Sequence, residues 1–151
     1  MMSRCGRPPR SGDSGQHRER HGPVHAERSR VQVQVQATGL KPNVEHGFHM
    51  HEFGDCSAAA ADGSSAGGHF NPTAQPHGPQ AGPHHQGDMP SLKADAAGNA
   101  SVSFEIGGTL EGSGATDLMG KGVIVHVMPD DYVTQPTGNS GARLACGVIV
   151  R

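Results

Sequence analysis

From Val31 to Gln36 the chain reads Val-Gln-Val-Gln-Val-Gln, apolar and polar residues in strict alternation. An extended strand points successive side chains to opposite faces, so it sorts this pattern into one dry face and one wet one; a helix would smear it around its axis. The alternation returns at Ser101–Ile106, and short apolar runs at Gly122–Val127 and Leu144–Val150 read as two further strands. His46–Phe53 reads as another, with His49, His51 and Phe53 on one face. Gly39–Asn43 and Asp95–Asn99 are turn sequences, the second placed as a hairpin turn. No segment of the body carries a helical period. Aromatic residues make up 3% of the 151 and Trp is absent, so the core is expected to rest on Val, Ile, Leu and Ala. Short strands separated by polar, Gly- and Pro-rich loops predict one all-β domain, an antiparallel sandwich or flattened barrel.

Two loops are too long to be mere connections. Residues 54–86 show no periodicity, and 129–143 form a second such stretch; loops of this length inside a domain are functional or disordered. Function is the better reading, because of what they carry. His49 and His51 stand at i and i+2 on a strand, both rings on one face. His69, His77 and His85 follow in the first loop, Asp88 closes it, and His126 lies in a later strand, on one face with Ile124. Taken singly, each of these reads better as a core or surface histidine than as a ligand. As a set of six imidazoles and a carboxylate among turns and strand ends, they spell out two metal sites of the kind copper and zinc prefer.

Charge is uneven. Residues 1–30 hold seven Arg against Asp13, Glu19 and Glu27, a balance of +4, while the remainder stands at −6. A basic arm on an acidic body suits nucleic acid, but this one has no aromatic residue and no recognisable module, so nucleic-acid binding is not expected. No apolar run is long enough to span a membrane. Met1–Arg10 is polar and carries three Arg, with no signal-peptide core. Of three Cys, Cys56 and Cys146 flank the ligand-bearing region and Cys5 lies outside it. A Cys56–Cys146 bond would close a loop worth about 4–5 kcal/mol in the chain-entropy account and imply an oxidising compartment. Two unrelated thiols are the alternative.

Four stretches carry a family resemblance: His46-Gly47-Phe48-His49-Met50-His51-Glu52-Phe53-Gly54-Asp55, Gly67-Gly68-His69-Phe70-Asn71-Pro72, His85-Gln86-Gly87-Asp88 and Gly141-Ala142-Arg143-Leu144-Ala145-Cys146-Gly147-Val148-Ile149. They resemble the Cu/Zn superoxide dismutases, the bacterial branch in particular, over residues 31–151. The resemblance implies a Greek-key β-barrel or sandwich. It implies copper ligands at His49, His51, His69 and His126, and zinc ligands at His69, His77, His85 and Asp88, with His69 bridging the two. His84 competes with His85, but only His85 has the His-x-Gly-Asp context. Asp130 matches a carboxylate that links ligand histidines of the two metals. Arg143 matches a guanidinium beside the copper, and Cys56 and Cys146 match an intrasubunit disulfide. His46 matches a structural histidine. The implied activity is the conversion of superoxide anion to dioxygen and hydrogen peroxide by copper cycling between Cu(II) and Cu(I). In it Arg143 and His69 serve as catalytic residues, the latter taking up a proton. A homodimer and an extracytoplasmic, periplasmic or secreted, location are further expectations. The competing function is a non-catalytic dismutase-like copper/zinc-binding protein or chaperone.

The resemblance stops at the N-terminal side. Residues 1–30 offer little apolar alternation, whereas the family's fold needs early strands. They are therefore set apart as an atypical basic arm, with 31–151 as the dismutase-like domain, and the early strands are expected to be missing or disordered. Alternatively the arm is misframed. Arg20–His25 read one nucleotide later permits Gly-Thr-Val-Arg-Phe-Thr, a good strand.

Overall fold

A computed structural model describes residues 29–57 and 64–151 of the chain. The expectations for residues 1–28, for Cys5 and for the alanine run Ala58–Ala61 lie outside that range. Seven strands are described: β1 (Arg30–Ala37), β2 (Glu45–His46), β3 (Phe48–His51), β4 (Leu92–Lys93), β5 (Ala100–Gly107), β6 (Gly122–His126) and β7 (Arg143–Val148). One 3-10 turn, Ser64–Ala66, is the only helical element among the described residues.

The register of β1 against β5 is what the alternation asks for. Val31, Val33 and Val35 face Ile106, Phe104 and Val102, while Gln32, Gln34 and Gln36 face Glu105, Ser103 and Ser101. Apolar meets apolar on one side of the ladder and polar meets polar on the other, and shifting the register by one residue would exchange the two faces. Arg30 and Glu105 add an exposed ion pair at 3.5 Å, of little weight in water.

β6 is the middle strand of a second sheet, with β3 and β7 antiparallel on its two sides. β2 pairs with β4. Asp95–Asn99 does turn the chain: the Asp95 carboxylate accepts from the N–H groups of Ala97 and Asn99, and Gly98 takes a left-handed φ of 78°. It is not the tip of a two-stranded hairpin, because the strands it joins pair elsewhere, β4 with β2 and β5 with β1.

All four residues of β3 are buried, since both its faces are covered. Phe48 and Met50 enter the hydrophobic core with Phe70, Met89, Leu92, Ile106, Leu118 and Val123; His49 and His51 point the other way. The core therefore leans on Phe and Met more than composition suggested, and the valines of β1 are half-buried at its margin. Phe53 does not continue the strand face. It stands beyond the end of β3 and is 55% exposed.

The long first loop is positioned by backbone hydrogen bonds. Met50 N–H donates to Gly87 O, Phe70 N–H to Met50 O and Gly87 N–H to Phe70 O, at 2.8–2.9 Å. The loop thus completes the open edge of β3, pairing His51 with His69 and His49 with Asp88. Gly87 is required for this approach, because a Cβ there would run into the carbonyl of Met50.

Candidate metal centre

β3 supplies His49 and His51, the end of β6 supplies His126, and the bridge to His51 brings in His69. Their donor nitrogens lie within 4.8 Å of one another, and all four residues are buried. In each ring one nitrogen is satisfied. His51 Nδ1 donates to Gly67 O at 2.8 Å and His126 Nδ1 to Gly141 O at 3.1 Å. His49 Nε2 is 2.6 Å from Asp130 Oδ2, and His69 Nδ1 is 2.8 Å from Asp88 Oδ1. The opposite nitrogens, His49 Nδ1 and the Nε2 atoms of His51, His69 and His126, are buried without a hydrogen-bond partner. An unsatisfied buried polar atom costs about 1–3 kcal/mol. Four gathered at one place fit a cation that accepts imidazole lone pairs, which is the donor set copper favours.

The second group is built on Asp88. Its Oδ1 is 2.8 Å from His69 Nδ1, 2.9 Å from His77 Nδ1 and 3.3 Å from His85 Nδ1, while its Oδ2 accepts from the N–H groups of Gly78 and His85. Three imidazoles and one carboxylate make a four-donor set suited to zinc. His69 belongs to both groups. His84 does not join: its Nδ1 donates to Gly82 O at 2.7 Å.

Asp130 ties the groups together from outside. Oδ2 meets His49 Nε2, and Oδ1 meets both His77 Nε2, at 2.8 Å, and the N–H of Tyr132, at 2.7 Å. Each of the two histidines is thereby given a carboxylate acceptor for a proton on the nitrogen that faces away from the donor clusters. Arg143, at the start of β7, donates from Nη2 to Gly67 O at 2.7 Å, the carbonyl that also receives His51. Its guanidinium therefore stands beside the first group. His46 Nδ1 is bonded to His126 O at 2.8 Å, a structural tie between β2 and the end of β6.

The electrostatics follow. Burial holds the His51 pKa near 3 against the pull of the Gly67 carbonyl, with His69, Arg143 and His126 adding repulsion. Burial likewise brings His69 and His126 to about 4. These rings are neutral, with a lone pair to give, at any physiological pH. Burial also disfavours the cation of His77, but the Asp130 and Asp88 carboxylates outweigh it and lift its pKa to about 9. Asp88 and Asp130 are held well below the usual carboxylate range; burial opposes this, and the hydrogen bonds from His69, His77 and His85 to the first, and from His49 and His77 to the second, overcome it.

Three supports were invisible in the sequence: Tyr132, whose hydroxyl accepts from Ser91 N–H at 2.9 Å; Gln135, which bonds the backbone of His77; and Gly138, packed against the His77–Asp130 contact. All sit in the second long loop and act on residues far away in the sequence, Tyr132 and Gln135 through hydrogen bonds and Gly138 by leaving room for His77, which leaves no local pattern. Cys56 and Cys146 form a disulfide with Cα atoms 5.6 Å apart, joining the loop after β3 to β7.

An all-β domain that gathers six imidazoles and one carboxylate into two donor clusters sharing a histidine is a binuclear metalloprotein. A family model for copper/zinc superoxide dismutase matches residues 20–149, beginning inside the basic arm. Superoxide dismutase [Cu-Zn] 1 of Aquifex aeolicus is 41% identical over 128 residues, covering 80% of this chain and 73% of that protein. The Schizosaccharomyces pombe superoxide dismutase [Cu-Zn] is 38% identical over 80% of each. The crystal structure of an SOD-like protein from Bacillus subtilis superposes with a TM-score of 0.71 at 36% identity, over 80% of this chain and 82% of that one. The chain belongs to the copper/zinc superoxide dismutase family. It is an oxidoreductase that converts superoxide to dioxygen and hydrogen peroxide, with copper and zinc as cofactors.

Proposed function

We propose that His49, His51, His69 and His126 hold the copper, that His69, His77, His85 and Asp88 hold the zinc, and that Arg143 and His69 are the catalytic residues of the dismutation. The observation that carries this assignment is the set of orphaned nitrogens: four buried lone pairs converge on one place while the second nitrogen of each ring is tied down. Bound copper supplies reversible one-electron chemistry, so one superoxide is oxidised to dioxygen and a second, with two protons, is reduced to hydrogen peroxide. The chain does the rest. Arg143 places a fixed positive charge beside the cluster and draws in a small anion. His69, held through Nδ1 by Asp88, offers at Nε2 a lone pair that can accept a proton and pass it to the reduced oxygen. Asp130 keeps His49 and His77 in the tautomers that leave their inner nitrogens free.

The reading extends to setting. The Cys56–Cys146 disulfide supports an extracytoplasmic location, since such bonds persist in oxidising compartments. No helix among the described residues is long and apolar enough to cross a membrane. The exposed apolar side chains Phe53, Leu144 and Val150, at 55%, 49% and 74%, favour a homodimer. The arm at 1–30 and the domain at 31–151 remain the proposed division of the chain.

The test of the ligand sets is metal titration of the stripped chain, read by metal analysis and Cu(II) paramagnetic resonance. One copper and one zinc per chain are expected. His126→Ala should lose copper and keep zinc, and His85→Ala the reverse. If His126→Ala bound copper with wild-type affinity and spectrum, the assignment would be wrong.

A further inference from the structure

His77 differs from the other proposed ligands in how its backbone is held. His49, His51 and His126 lie in strand ladders. His69 and Asp88 are bridged to β3, and His85 is tied to Asp88 three residues away. His77 lies in a stretch without ladder pairing, and the loop's backbone-to-backbone hydrogen bonds pass it by. What holds it is a side chain 58 residues further on. Gln135 Oε1 accepts from His77 N–H at 2.8 Å, and Gln135 Nε2 donates to His77 O at 2.8 Å. The same Nε2 donates to Val133 O at 3.1 Å, which orients the amide. One carboxamide thus makes the pair of hydrogen bonds that a neighbouring strand would make. The same loop reaches the ring, through Asp130 Oδ1 on His77 Nε2 at 2.8 Å.

We propose that Gln135 is the positioning residue for His77: its amide clamps both backbone groups of that residue, so that His77 Nδ1 stays beside Asp88 and His85, and the clamp sets how tightly the second cluster binds zinc. This rests on the reading of His69, His77, His85 and Asp88 as the zinc set. Groups that orient ligands typically change metal affinity by about 10- to 100-fold when removed. Gln135 is exposed, so its replacement leaves no cavity in the core, and the effect belongs at the lower end, about tenfold.

Two measurements on the full-length, metal-stripped chain test it: zinc affinity by chelator competition, and amide hydrogen exchange at His77 by NMR. Gln135→Met keeps the length and removes both hydrogen bonds. It should weaken zinc binding about tenfold and speed exchange at the His77 amide, while copper affinity stays at the wild-type value. Gln135→Glu keeps an oxygen for His77 N–H and loses the donation to His77 O. It should protect that amide and bind zinc more weakly than wild type. His77→Ala separates this proposal from the one beneath it. Zinc binding should fall further than in Gln135→Met. If His77→Ala bound zinc normally, the zinc-site reading and the clamp would fall together. If His77→Ala lost zinc while Gln135→Met showed wild-type affinity and wild-type exchange at His77, the clamp alone would be overturned.

Discussion

Asp130→Asn changes no shape and one atom, yet it attacks both proposed metal sites through their ring protons. The wild-type carboxylate receives three contacts and makes none as a donor: His49 on Oδ2, and His77 with the Tyr132 N–H on Oδ1. Asparagine offers one oxygen and one NH2. Whichever ring meets the NH2 faces it donor to donor. The conflict is relieved only by moving that ring's proton to its other nitrogen, His49 Nδ1 or His77 Nδ1, which is the donor atom of one cluster or the other. A buried hydrogen bond to a charged group is worth roughly 1.5–3 kcal/mol, so affinity at the affected site should fall by roughly 10- to 100-fold. Chelator competition with copper and with zinc at pH 7 measures both. At least one affinity should drop by about tenfold or more. Two affinities within twofold of wild type would refute the argument that Asp130 sets the tautomers.

Other outcomes follow from the same geometry. Arg143→Ile should lower activity at low salt and flatten its ionic-strength dependence, with copper and zinc content unchanged; loss of copper instead would make Arg143 a scaffold residue. Gly138→Ala should abolish zinc binding and lower the thermal midpoint, because its left-handed φ of 67° disfavours alanine and the added Cβ would overlap Asp130 Oδ1 and His77 Nε2. Stability of the stripped chain should depend on pH in a defined way. His51, His69 and His126 titrate near 3–4 when folded and near 6.5 when unfolded, so the unfolded chain binds more protons in that window and stability falls as pH drops below about 6.5. His77, lifted to about 9, stabilises fully below 6.5 and loses its contribution as pH rises through 9. Denaturant unfolding across pH 4–10 should show a decline on the acid side and a further loss near pH 9.

The strands and the clustered histidines were legible for one reason: both leave local patterns. Val31, Val33 and Val35 alternate with glutamines because one face of β1 is drier than the other. His49 and His51 are two apart because a strand must aim both rings one way. The docking of the first loop on β3 was not legible, since Gly87 and Phe70 meet Met50 through backbone hydrogen bonds, and one glycine in a glycine-rich loop does not announce which strand it approaches. Nor were Gln135 and Tyr132, whose partners lie 58 and 41 residues away. The exposure of Phe53 was missed because β3 ends two residues before it, and alternation says nothing beyond a strand's end. The partners of β4 and β5 were missed because a turn fixes the reversal of the chain but not which strands then pair.

The most direct test of the whole account is the decay of superoxide followed spectroscopically after pulsed generation, in the presence of the full chain loaded with copper and zinc. The account predicts decay first order in superoxide, with a rate proportional to the concentration of loaded protein. His126→Ala treated in the same way should return the decay to its spontaneous second-order course. Decay that is no faster with the loaded wild-type chain than without it would contradict dismutation. It would leave a protein that binds copper and zinc without catalysis.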